Sequence, residues 1–134
     1  VLRALARSPQ PADALLAEVG LAAGAGPRLD QAIGLLRQAV GEARAPGGGE
    51  AAGTLAGREA EFRARRLAGL IAVTLQAALL ARHAPAAVAG AFCASRLDTA
   101  GSGGPAGPGL PFGMLPAGLD LPAILDRCKP EPGR

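Results

Sequence analysis

The clearest pattern in the chain begins at Pro27. Leu29, Ile33, Leu36 and Val40 recur at spacings of four, three and four, while Arg28, Asp30, Gln31, Arg37, Gln38 and Glu42 take the opposite side. That rhythm predicts an amphipathic helix, closed by the Ala45-Pro46-Gly47-Gly48-Gly49 run. Upstream, Pro11 suits the first turn of a shorter helix through Val19, with Leu15, Leu16 and Val19 on one side and Gly20 as its left-handed stop. Residues 1–7 read as the end of a helix closed by Ser8 and Pro9.

Downstream of a flexible loop over residues 53–57, the stretch 58–83 contains no proline and predicts one long helix, with Glu59 and Glu61 in its first turn. Leu67, Leu70, Ile71, Val73, Leu75, Leu79 and Leu80 spread round most of its circumference, which predicts a central position. A narrow polar line remains, made by Arg58, Arg65, Gln76 and His83, with Gly69 and Ala72 beside it. Pro85 opens a further helix through Leu97, whose Ala87, Ala89, Ala91 and Ala94 allow close approach to a neighbour. Residues 101–118 hold seven Gly and four Pro, which exclude helix and predict the most mobile part of the chain. Asp120 and Pro122 then cap a last short helix over residues 123–128, and Phe112, Leu115 and Leu119 are candidates to strap the tail to the bundle.

The fold expectation is therefore all-α: a bundle of about four helices over residues 1–98, followed by a Gly/Pro-rich tail with a short terminal helix over 99–134. Composition agrees. The chain is 49% hydrophobic but only 2% aromatic, so the interior must be built from Ala, Leu, Val and Ile, with Phe62, Phe92 and Phe112 as the only large rings. Residues 67–81 form the longest apolar stretch, which at 15 residues falls short of the ~20 needed to cross a bilayer. No membrane is expected as a partner.

Charge and chemistry add little. Fourteen basic and 11 acidic residues leave a formal +3, a weakly basic balance without the one-sided concentration of a nucleic-acid binder. Cys93 and Cys128 are far apart and His83 is the only imidazole, so no zinc site, disulfide framework or catalytic triad is indicated. The glycine runs lack the spacing and the Gly-Lys ending of phosphate-binding loops. No catalytic, cofactor-binding or metal-ligating residue is expected in this chain. Arg63, Arg65 and Arg66 form the strongest charge cluster, half cancelled by Glu59 and Glu61 one turn before. With no Tyr or Trp, base stacking is not expected, which confines any nucleic-acid contact to phosphate.

The order of these features resembles a known family. Val1-Leu2-Arg3-Ala4-Leu5, the segment from Arg28-Leu29-Asp30 to Val40, Leu75-Gln76-Ala77-Ala78-Leu79-Leu80 and Ala84-Pro85-Ala86-Ala87-Val88-Ala89-Gly90-Ala91-Phe92-Cys93 through Leu97-Asp98 are similar to the C-terminal helical domain of AidB-type flavoproteins. The tail from Phe112-Gly113-Met114-Leu115-Pro116-Ala117-Gly118 to Asp126 resembles the ends of actinobacterial members. These are isovaleryl-CoA dehydrogenase-like proteins of the acyl-CoA dehydrogenase superfamily, tied to the DNA alkylation response. The resemblance implies a cytoplasmic fragment of an oxidoreductase that is non-catalytic alone. The family's catalytic base lies in a W-E-G-[ST]-G-N type stretch upstream of the point matching Val1, as do most residues holding FAD and acyl-CoA. FAD is thus expected in the full-length parent and not in this fragment. Implied partners are the upstream acyl-CoA dehydrogenase body of the same chain, further copies in a homo-oligomer, and duplex DNA through Arg3, Arg63, Arg65 and Arg66. The alternative is a free-standing helical protein-interaction module, to be separated from the first reading by the reading frame upstream of Val1.

Overall fold

A computed structural model describes residue 8 and residues 10–44, 55–97 and 115–129; for 55–57 it describes the backbone alone. Residues 1–7, including Arg3, residues 45–54, and the glycine- and proline-rich stretch up to Met114, including Phe112, lie outside the described residues. Within them the chain is all-helical, a small helical bundle with no strand. Five helices follow in order: α1 (Gln10–Gly20), α2 (Pro27–Arg44), α3 (Leu55–His83), α4 (Ala86–Arg96) and α5 (Leu121–Asp126).

Helix α2 carries the apolar line read from its spacing. Leu29, Ile33, Leu36 and Val40 are all buried, joined by Ala32. Helix α1 adds Ala12 and Val19 to the same core. Gly20 does not supply the expected left-handed stop: it stays helical, and the turn runs on through bonds from Leu21 N to Glu18 O and from Ala22 N to Val19 O. The left-handed residue is Gly24, at φ +87°. Its amide donates to Asp30 Oδ1 at 2.8 Å, so a side chain from the first turn of α2 fixes where the reversal falls. A Cβ at Gly20 would lie 3.3 Å from the end of the exposed Arg37 side chain, a close approach that the arginine can relieve by a small shift.

Helix α3 packs against α1, α2 and α4, and in that sense is central as expected. It begins at Leu55, three residues earlier than its sequence suggests, so residues 55–57 are helix rather than loop and Glu59 and Glu61 sit in its second turn. Its burial is one-sided. Leu67, Leu70, Thr74, Ala77 and Ala78 form a single buried stripe, whereas Ile71, Val73, Leu75 and Leu80 are half-buried and Leu79 is exposed. The apolar positions round its circumference are therefore unequally covered: among the described residues, α1, α2 and α4 enclose one side. The whole polar line of Arg58, Arg65, Gln76 and His83 faces out, with Gly69 and Ala72 exposed beside it.

By length and composition alone, residues 58–83 are long and apolar enough to cross a membrane. Charged residues fill the first turns through Arg66, however, and Arg82 stands at the other end. The uncharged part between them spans about 22 Å of helix, less than the ~30 Å hydrocarbon layer.

His83, Ala84 and Pro85 end α3, and Pro85 serves as N-cap of α4. Ala89, Ala91 and Ala94 are buried on α4, consistent with close approach through small residues, while Ala87 is half-buried. Phe92 and Cys93 pack against the edge of the core. Helix α5 starts at Leu121, two residues before the expected position, because Asp120 accepts from Ala123 N at 3.1 Å and thereby sets the cap. It touches α4 but buries none of its residues. Leu115, an expected anchor of the tail, is 54% exposed, whereas Leu119 is half-buried.

Candidate basic surface on helix α3

The three arginines singled out from sequence stand on the first half of α3, and all are exposed. They do not converge. A helix turns about 100° per residue, so Arg63 and Arg65 project to nearly opposite sides, with Arg66 between them. Arg65 pairs with Glu61 at 2.7 Å and Arg63 with Glu59 at 3.6 Å, each across one helical turn. The Arg63 Nε also donates to the Glu59 carbonyl at 3.4 Å. Such exposed pairs are worth only a few tenths of a kcal/mol. They nevertheless occupy two of the three guanidiniums that were to meet phosphate.

Phe62 is the residue that sequence reasoning misplaced. Counted there among the rings of the interior, it is 70% exposed and stands among these arginines. Its helical position carried the signal: the buried stripe runs through Leu67, Leu70 and Thr74, and Phe62 projects well away from that line.

Elsewhere ion pairs tie helix ends together. Arg44 at the end of α2 bonds Asp13 of α1 at 2.8 Å, and Arg82 at the end of α3 bonds Glu18 of α1. Both arginines are therefore structural. Cys93 is half-buried; desolvation pushes its thiol upward, with the Arg28 charge opposing, so at neutral pH it stays a protonated thiol of low nucleophilicity. Cys128 is exposed and donates weakly to the Ile124 carbonyl.

Among the described residues two polar side chains are buried. Ser95 donates to the Phe92 carbonyl at 3.1 Å, and the Thr74 hydroxyl, 0% exposed, has no hydrogen-bond partner. Thr74 lies within the apolar stripe between Leu70 and Ala77 rather than beside an opening. Among the described residues no group of three His, Cys, Asp or Glu could hold a metal ion. No family model, curated protein or solved structure matches the chain.

Proposed function

We propose that the chain is a helical domain of a cytoplasmic, AidB-type acyl-CoA dehydrogenase-like flavoprotein, serving to complete the subunit and its oligomer rather than to catalyse. The supporting observation is the incomplete burial of α3. Only 28% of its most apolar stretch is buried, Leu79 is exposed, and Ile71, Val73, Leu75 and Leu80 are no more than half-buried. Helices this apolar are normally covered, and further protein from the same subunit or from another copy would provide the cover. FAD then belongs to the upstream body. A contribution to duplex DNA binding would rest on Arg3 together with Arg63, Arg65 and Arg66, two of which must first leave their glutamates.

The test is the reading frame upstream of Val1. An acyl-CoA dehydrogenase body there, giving a yellow oligomer when the whole protein is purified, supports the proposal, while the present chain alone is expected to be colourless. A frame that opens at the present chain, or a purified fragment that retains FAD, would overturn it. A free-standing interaction module is the second reading, favoured by the exposed Leu121 and Leu125 on α5.

A further inference from the structure

The surface round Phe62 shares Arg65 and Arg66 with the arginine trio but adds Arg58 and an exposed ring, and its geometry is independent of the parent protein. Arg58 and Arg66 stand four residues before and four after Phe62, one turn of about 6 Å each way, and Arg65 stands three after it. All four side chains are exposed. The nearby carboxylates Glu59 and Glu61 are engaged by Arg63 and Arg65, and Arg58 and Arg66 make no ion pair among the described residues. An aromatic face in water is thus bracketed along the helix by two uncommitted guanidiniums.

We propose that this patch binds single-stranded nucleic acid, with Phe62 stacking on an unpaired base and Arg58 and Arg66 contacting the phosphates on either side. Stacking combined with phosphate contact is the general mode for single strands, and it tolerates any base. This revises the expectation that stacking is not available, since an exposed Phe supplies a ring face as Tyr or Trp would. A duplex keeps its base faces enclosed, so it would meet the arginines but leave the ring without a partner. An anionic lipid surface would need a row of apolar side chains beside the charges. Toward the C-terminal end of α3 the residues on the Phe62 line, at seven-residue steps, are Gly69 and Gln76, both exposed and neither able to insert.

Fluorescence anisotropy of the full chain with a short labelled oligothymidylate at low salt tests the proposal. Tighter binding to the single strand than to a duplex of the same length is expected. Phe62→Ala and Phe62→Leu should each weaken it about ten-fold, within the range for loss of one stacked base. Arg66→Gln should reduce the log-log salt slope by about 0.7, the value for one phosphate contact on a single strand. Circular dichroism should be unchanged in all three variants, because the substituted residues are exposed. Equal affinity for duplex and single strand would overturn the proposal. Wild-type affinity in Phe62→Leu would overturn it as well, by showing that bulk and not a ring face is read. So would binding to phosphatidylserine vesicles that Phe62→Ala abolishes while oligonucleotide affinity stays the same.

Discussion

Helix α2 and the first turns of α3 share a conformation but not a cause. Along α2, Leu29, Ala32, Ile33, Leu36 and Val40 are at most 2% exposed, and the helix exists because its apolar side has somewhere to go. From Arg58 to Arg66, α3 has no buried residue, only Ala60 and Ala64 half-buried, and its fully buried positions begin at Leu67. Those turns stand on helix-forming Ala, Glu and Arg, on two i,i+4 ion pairs, and on being continuous with the packed half. Burial at about 25 cal/mol per Å2 outweighs exposed pairs of a few tenths of a kcal/mol. The stability of the bundle is therefore concentrated in α2 and the later turns of α3, while the early turns are free to present side chains outward.

Substitutions at the two ends of α3 and within α2 should separate these causes. The largest effect is expected from Leu70→Asp, which places a carboxylate in the buried stripe at a cost of several kcal/mol, comparable to the whole stability of a small domain. Loss of the cooperative thermal transition would be the outcome, whereas Leu75→Asp, at a half-buried position, should leave a folded protein with a lower Tm. Similar melting of both variants would show that α3 has no privileged side. Leu36→Ala, at a fully buried site on α2, should cost about 3 kcal/mol in denaturant unfolding. A loss below about 1 kcal/mol would mean that α2 does not dominate the core.

Thr74→Val changes the sign. It replaces a buried hydroxyl without a partner by a methyl of similar volume, and a gain of about 1 kcal/mol is expected because the desolvation cost disappears. Destabilisation would reveal a hydrogen bond that the folded protein makes in solution. The smallest effect belongs to Arg65→Ala, where loss of the exposed pair with Glu61 should change stability by less than about 0.5 kcal/mol. A change above about 1 kcal/mol would break the contrast, since the early turns would then matter to the fold as much as α2 does.

Much of the architecture is legible in the sequence. The spacing of Leu29, Ile33, Leu36 and Val40 is a property of the chain, and a helix that obeys it has one side that must leave water. Pro85 as a start and Asp120 as a cap were also readable, because each acts through its own backbone or its neighbours' amides. The partial cancellation of Arg63, Arg65 and Arg66 by Glu59 and Glu61 was legible in the sequence, whereas the divergence of the three arginines round the helix was not drawn from it. Helical geometry held both facts, since 100° per residue separates Arg63 from Arg65 and the spacing of four sets each beside its glutamate.

Sequence alone determined which segments are helical and which side of α2 is apolar, since propensity, capping and periodicity act over a few residues. Only the tertiary structure decided which of the many apolar positions on α3 are covered. With Leu, Ile and Val spread round most of that helix, periodicity has no preferred direction, and burial follows from where α1, α2 and α4 lie. The same placement put Leu70 and Thr74 inside and left Phe62 in water, against the greater apolar area of the ring, because the neighbouring helices do not cover its side of α3. Gly20 and Gly24 divided in the same way: either could have ended α1, and the reversal fell at Gly24, where Asp30 of the next helix captures the amide.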